Sequence, residues 1–572
     1  MSFTYTTSAA DWGRIAPELV LVVFALLILL TDLLLPQAGK SGKAPEDGGN
    51  FMALPVLSVV GLLGALAASI ILFNVGDYLP AFNHMIGSDP GTLYAYFIIL
   101  TASALGILLS PAYLKRLNLL HQGEYYALML LSTVGMMIMV AATSFLTIFL
   151  GLEMLSLALY ILCGFVMRRV TSRESSMKYF LLSSFASAIL LYGIALTYGA
   201  TGNTSFAGIN YYLLHRADLL HLLPGSHVPT PTLLLIGMGL LIAGFAFKVS
   251  AVPFQAWTPD VYDGAPAPVT AFMSVGTKAA ALIAFARVFV IVFAPIHSDW
   301  MPVVWAITVL TIVGGNILAL AQSNVKRLLA YSSIAHAGYL LIGVVAGGTV
   351  GLSAILFYLF CYAFLNLGAF GIVSVLERAD NSGSNLSELR GLWYRQPLLA
   401  SLLAFFMLSL AGFPPMAGFA AKYYIFYAAL QSGHPELLII GVLASVLGMY
   451  YYLRVIAAMF MEKEAAAQTA GVAATLPTTP APISGRRINS GKLANSAAAT
   501  AVAVKPPTAA LSKEKTPVVA EKALEQPIVI KGWTTWTALG VTVAGTLLMG
   551  TVLAYWLVNL AVYAVGVMMR VM

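Results

Sequence analysis

Charge is what this sequence has least of. Only 9% of its 572 residues are Asp, Glu, Lys or Arg, whereas 60% are hydrophobic. A soluble domain carries about 25% charged residues, so a water-soluble globule is excluded and the chain reads as an integral membrane protein. Cysteine is nearly absent as well. Cys163 and Cys361 both lie in apolar runs, which excludes a disulfide framework and a Cys-ligated zinc or iron–sulfur site. Glycine-rich nucleotide signatures are missing too, because the only GxGxxG-like stretches are glycines of apolar helices. The N-terminus has no basic n-region and no small-residue cleavage site before Pro36, so the first apolar run reads as a retained helix and not a signal peptide. The net charge of +7 does not indicate nucleic acid, since the basic residues are scattered over loops and a tail, as the positive-inside rule expects.

Apolar runs divided by polar breaks predict an all-α, polytopic fold of about fourteen spans. They fall at 15–35, 53–75, 92–110, 125–143, 145–167, 177–199, 232–258, 266–293, 302–320, 326–346, 351–377, 397–430, 436–460 and 534–566. Most are near the roughly 20 residues that cross about 30 Å of hydrocarbon, and 397–430 and 534–566 are longer. With the N-terminus outside, 23 of the 30 Lys and Arg fall on inner segments and only Arg14, Arg216 and Arg570 on outer ones. A span missed midway would move every later loop to the other side and erase that bias, so both termini are expected outside. Residues 463–530, as in TLPTTPAPISGRR, are rich in Ala, Pro, Thr, Ser and Lys and almost free of aromatics. Such a segment buries too little apolar surface to offset its ordering entropy. A flexible inner loop is expected, with a tether for partner docking as the alternative.

Against this background a few ionisable residues inside spans stand out. Glu153, in FLTIFLGLEMLSLALY, is the one acid near the middle of a span, and His336, in LLAYSSIAHAGYLLIG, is the one histidine within one. Lys248, Lys278 and Lys422 complete the set. Arg287 lies nearer the outer end of its helix, where a long side chain can snorkel to the interface. One such group could simply hold helices together. Five in five separate spans, each costing at least about 2.5 kcal/mol to insert, point to a shared function. An acid, an imidazole and amines in a low dielectric can form a chain of proton sites. Glu153 near Lys248 would control whether that amine holds its proton. Ser250, Ser274, Thr277, Tyr331 and Ser333 add hydroxyls that could support water chains.

Two spans read as broken. The run GFAFKVSAVPFQAWTPD sets Pro253 five residues after Lys248, and LAGFPPMAGFAAKYYIF sets Gly412, Pro414 and Pro415 before Lys422. Proline removes a helix hydrogen bond, and irregular backbone at membrane depth survives only inside protein or beside a wet cavity. The breaks are five spans apart, an odd number, so spans 4–8 and 9–13 are expected to be inverted repeats. The expected organisation is a three-helix segment at 1–124, repeats at 125–293 and 294–462, the loop at 463–533, and a C-terminal transmembrane helix at 534–572.

The run SAVPFQAWTPDVYDGAPAPVTAFMSVGTKAA, with FLGLEMLSLALYIL before it and AGFPPMAGFAAKYYIF after it, resembles the antiporter-like membrane subunits of respiratory complex I, closest to the subunit N type. The resemblance covers all fourteen spans in order. It implies proton-transfer roles for Glu153, Lys248, Lys278, His336 and Lys422. It also implies a bacterial inner-membrane location, and it places FMN, iron–sulfur clusters and quinone in partner subunits with no cofactor or metal on this chain. Lysine at 422 favours the subunit N type over siblings in which that position is often acidic, whereas the long 463–530 segment departs from the family's short loop. Two alternatives stay open: a subunit of an Mrp-type cation/proton antiporter, and a non-transporting scaffold that uses buried charge for assembly.

Overall fold

A computed structural model of the chain describes residues 8–34, 50–117, 119, 122–216, 230–378, 380–461 and 532–571. The 463–530 segment, and with it the expectation of a flexible loop, lies outside the described residues. The fold is helical almost throughout, and among the described residues backbone pairing outside helices is confined to isolated bridges. A short α1 (Ala9–Arg14) leads into α2 (Ala16–Leu34), α3 (Asn50–Val75), α4 (Pro90–Arg116), α5 (Gly123–Ala141), α6 (Phe145–Cys163) and α7 (Val170–Thr201). A short α8 (Phe206–Leu214) precedes α9 (Thr232–Val249), α10 (Trp257–Gly264), α11 (Ala267–Ala286), α12 (His297–Leu320), α13 (Val325–Ala346) and α14 (Gly348–Leu376). After the single turns α15 (Leu386–Leu389) and α16 (Leu392–Arg395) come α17 (Pro397–Ala411), α18 (Ala417–Gln431), α19 (Pro435–Phe460), α20 (Trp533–Gly550) and α21 (Ala554–Val571). Among the described residues, thirteen helices are long and apolar enough to cross a membrane. The predicted twelfth span is divided between α17 and α18, which the count of long helices leaves out.

Burial sorts the helices. α11, α13 and α14 are almost wholly enclosed, whereas α2, α3, α7, α19 and α21 keep broad outer faces of Leu, Ile, Val and aromatic side chains. In hydrocarbon such faces cost nothing, so the centre is where polar groups must find partners within the protein.

The last predicted span, 534–566, is not one helix. α20 and α21 divide it at Thr551–Leu553, where a Gly-Thr-Val run has low helix propensity. Both halves pack along α4, Gly532 against Ala112 and Met568 against Gly91, while Gly550 meets the backbone of 415–417.

The two predicted breaks are built alike. α9 ends at Ser250, with left-handed φ of 67°, and α17 ends at Gly412, with φ of 92°. In the first, Ser250 N donates to Phe247 O at 3.1 Å and Ala251 N to Ala246 O at 2.8 Å. In the second, Gly412 N donates to Ser409 O at 3.0 Å and Phe413 N to Leu408 O at 3.1 Å. This doubled bond pattern is the helix-ending turn that caps orphan carbonyls. A second pairing also recurs. Ser144 bridges Ser205 and Asn324 bridges Asn385, each 61 residues apart. The bonds are Phe145 N to Thr204 O (3.0 Å) with Phe206 N to Thr143 O (2.9 Å), and Val325 N to Ser384 O with Leu386 N to Ser323 O (both 2.8 Å).

Candidate functional site

Lys248 is in the last turn of α9, 2% exposed. An ammonium there faces the negative end of the helix dipole. Its Nζ donates to Ser156 Oγ at 2.7 Å and Tyr179 Oη at 3.2 Å, and it lies 5.3 Å from the centre of the Tyr179 ring. No ion pair joins Lys248 to Glu153 among the described residues. Glu153 is partly buried, its Oε1 is enclosed without a hydrogen-bond partner, and it stands three residues before Ser156 on α6. Positions three apart share a helix face, so the carboxylate is a turn away from the lysine's partner and not on the lysine.

Lys278, in the middle of α11, is 1% exposed and donates to both the carbonyl and the hydroxyl of Ser333 on α13. His336 follows Ser333 by three residues on α13. Its Nδ1 meets Tyr358 Oη at 2.7 Å and its Nε2 meets Tyr452 Oη at 3.2 Å. Tyr452 also reaches the hydroxyl of Ser332. Tyr339, one turn further, packs edge-on against His336 and lies 5.3 Å below the Lys422 ammonium. Lys422, 6% exposed on α18, turns back to the end of α17, donating to Leu410 O (3.1 Å), Ala411 O (3.0 Å) and Ser445 Oγ (2.8 Å). Lys278, His336 and Lys422 thus belong to one run of contacts along α13. Lys248 and Glu153 form a second group, and among the described residues no hydrogen bond joins it to Lys278.

Of the hydroxyls named from sequence, Ser333 is part of the run, Ser274 accepts from Asn366, and Ser250 accepts from Thr258 at 2.7 Å. Thr277 bonds only its own helix at Met273 O. Tyr331 takes no part. Ser156, Tyr179, Tyr358, Tyr452 and Ser445 went unremarked, because tyrosine and serine are ordinary in membrane helices and only the fold brings them to a lysine or histidine. Among the described residues, Oδ1 of Asn366 is buried without a hydrogen-bond partner, which leaves a polar atom in the core that a water could join.

Two ionic groups stand apart from this run. Arg287 does not snorkel to the interface. It is 1% exposed, paired with Asp89 and bonded to Thr92 Oγ1 at 2.6 Å, because Asp89, the N-cap of α4, offers an anion at the same depth. The other group lies at the ends of the spans 326–346 and 351–377. Glu377, just past α14, and Lys326, in the first turn of α13, have 0% side-chain exposure and pair at 3.2 Å. Arg169 completes the pair from the 164–169 turn, and Tyr113 Oη donates to Glu377 Oε1 at 2.7 Å. The signal that could have revealed it is an acid directly at the end of a long apolar run. Nearby, Asp260 on α10 pairs with Lys178 and Arg327, both at 2.9 Å. Burial pushes the Asp260 carboxyl up, but the bonds and charges of Lys178 and Arg327 outweigh it and hold it below its ordinary value. Among the described residues no group of His, Cys, Asp and Glu could hold a metal ion.

The chain is similar to known proteins. The family model described as NADH:quinone oxidoreductase/Mrp antiporter, transmembrane region, matches residues 142–448. The NADH-quinone oxidoreductase subunit N of Trichlorobacter lovleyi is 43% identical over 448 residues, 78% of this chain and 87% of its own. That of Chloroflexus aggregans is 43% identical over 457 residues, 80% and 89% of the two chains. Among solved structures, a chain of respiratory complex I from Thermus thermophilus superposes with a TM-score of 0.67 at 28% identity, covering 96% of this chain and 99% of that one. A chain of the Mrp complex from a Dietzia species superposes at 0.71 over 99% of both chains, but at 19% identity that likeness concerns fold alone. By this match and by identity over most of both sequences, the chain belongs to the NADH:quinone oxidoreductase/Mrp antiporter membrane family, in its subunit N group.

Proposed function

We propose that the chain is a proton-translocating membrane subunit of a bacterial NADH–quinone oxidoreductase. Quinone reduction, with FMN and iron–sulfur clusters, takes place in partner subunits, among them antiporter-like siblings and small membrane subunits. The observation that carries this reading is the run from Lys278 through Ser333, His336 and Tyr339 to Lys422, enclosed at membrane depth and made of groups that give and take protons. Amines and an imidazole repel a sodium ion and offer it no carboxylate cage, so the chemistry suits protons.

The Lys248 group acts as the input. The hydroxyls of Ser156 and Tyr179 can accept from an ammonium or donate to a neutral amine, so this site has partners for both protonation states. A signal from a neighbouring subunit that brings the Glu153 carboxylate a turn closer favours the protonated amine, and its withdrawal releases the proton. Lys278 then relays a proton along α13 to Lys422 and the outer face. The recurrence of the capped break and of the backbone bridge supports the inverted repeats at 125–293 and 294–462. The gathering of Arg116, Arg169, Lys178, Lys326 and Arg327 at one end of the bundle supports that end as the cytoplasmic one, with both termini outside.

The Mrp-type antiporter shares the fold but is the weaker reading, because relatives named subunit N are far closer in sequence. Sodium-dependent transport by the purified assembly without NADH oxidation would favour it. The direct test replaces Lys248 by Ala in the assembled complex in proteoliposomes. The expected result is continued NADH oxidation with fewer protons moved per electron, and an unchanged ratio would overturn the role.

A further inference from the structure

The eight-residue α10 touches both the Lys248 group and α13, and it is held at three places. At its start, Trp257 Nε1 donates to Phe247 O at 3.0 Å, and the indole stacks on Tyr179, centroids 4.9 Å apart. Phe247 precedes Lys248, and Tyr179 is a partner of the Lys248 amine. In its middle, Asp260 is held by Lys178 and Arg327. At its end, Lys326 Nζ donates to Asp263 O at 2.7 Å, to Ala265 O at 3.1 Å and to Glu377 Oε2 at 3.2 Å. Asn381 spans the same joint, its Nδ2 donating to Asp263 O at 3.2 Å and its Oδ1 accepting from Lys326 at 3.3 Å.

The holding residues are sequence neighbours in pairs: Lys178 with Tyr179 on α7, and Lys326 with Arg327 on α13. Ser333, the partner of Lys278, lies seven residues beyond Lys326, about two helical turns along the same face. α10 therefore connects the Lys248 site to the helix that carries the Lys278 contact. Its middle hold is exposed and yields readily to water and salt. Its end hold is buried, and there loss of Glu377 leaves the Lys326 ammonium without its carboxylate in a low dielectric. Of the two ionic holds, only that end resists slippage.

We propose that Glu377 and Lys326 are positioning residues for proton transfer. The buried pair pins the end of α10 to α13, so that displacement at Lys248 reaches the Lys278–Ser333 contact. The proposal rests on the proton-translocation reading above.

The test uses the whole complex in proteoliposomes, with Glu377→Gln and the conservative Glu377→Asp compared with Lys248→Ala. Three quantities are read: NADH oxidation, protons moved per electron, and amide exchange over 257–264. Glu377→Gln should assemble, oxidise NADH, lose as large a share of the proton ratio as Lys248→Ala, and exchange the α10 amides about tenfold faster. Glu377→Asp should return both readouts toward the unmodified values. A merely structural role would reduce the amount of complex without changing the ratio per assembled complex.

If Glu377→Gln prevents assembly, Asn381→Gly carries the same prediction, since it removes the tie to Asp263 without unbalancing charge and suits the left-handed φ of 70° at that residue. An unchanged ratio or unchanged α10 exchange in the assembled variant overturns the pinning role. An unchanged ratio in Lys248→Ala overturns the proton reading instead, and α10 exchange then decides the pinning by itself.

Discussion

At Ser250 and at Gly412 the chain makes the same turn with the same two backbone bonds, yet the lysines are placed differently around it. Lys248 lies two residues before the first turn and is held by hydroxyls. Lys422 lies ten residues after the second and reaches back to carbonyls and one hydroxyl. Shifting by the 162 positions between Ser250 and Gly412 sets Lys422 opposite Asp260, which is half-exposed and paired at the surface. One backbone device thus serves two chemistries. It supplies a helix end inside the membrane, and the side chains decide what charge occupies it. Carbonyls only accept, so they always call for donors, whereas hydroxyls serve an amine in either protonation state.

Five substitutions break or sharpen this comparison. The largest effect is expected from Gly418→Ala. A Cβ there would lie 1.7 Å from Ser409 O, so the second break cannot close, and the variant should be nearly absent from the membrane fraction when quantified by immunoblot. Next is Ser156→Ala, which removes the 2.7 Å partner of Lys248. Leaving a buried donor short of a partner costs about 1–3 kcal/mol, and the proton-to-electron ratio should fall. Ser445→Ala should lower it less, because two carbonyls still hold Lys422. A Gly412→Ala change forces a side chain into left-handed backbone, a strain of roughly 1–2 kcal/mol, and sets a Cβ 3.2 Å from the Lys422 chain. A thermal shift assay should show a lower melting temperature.

The smallest effect is expected from Asp260→Asn, since exposed ion pairs contribute about 0–1 kcal/mol. Its pH dependence has a definite sign. The folded carboxyl titrates below its ordinary 3.8, so its stabilisation is present above that pH and is lost as pH falls through the lowered value. The stability gap between Asp260→Asn and the unmodified chain, read from thermal melts at several pH values, should close on acidification.

The spans were legible because membrane helices must satisfy every backbone bond internally, which makes apolar length a direct signal. The lysines and His336 were legible because charge at that depth is conspicuous. Their partners were not. Tyr358 and Tyr452 come from two different helices onto the two nitrogens of His336, and nothing in either local sequence marks that convergence. Glu377 and Lys326 were hidden differently. Both stand at helix ends, where sequence alone reads charge as solvated, and only the packing of α4, α10 and the 164–169 turn encloses them. Arg287 was misread for the same reason, its partner Asp89 being nearly 200 residues away in the chain. The twin turns were partly visible in SAVP and AGFPP, although Ser250 concealed a position that Gly412 openly marks.

The most direct test of the central claim is the proton-to-electron ratio of the assembled complex carrying Lys278→Ala, measured in proteoliposomes during NADH oxidation. The proposed path predicts a reduced ratio with electron transfer continuing, since Lys278 is the entry to the run along α13 that ends at Lys422. A ratio equal to that of the unmodified complex would contradict it.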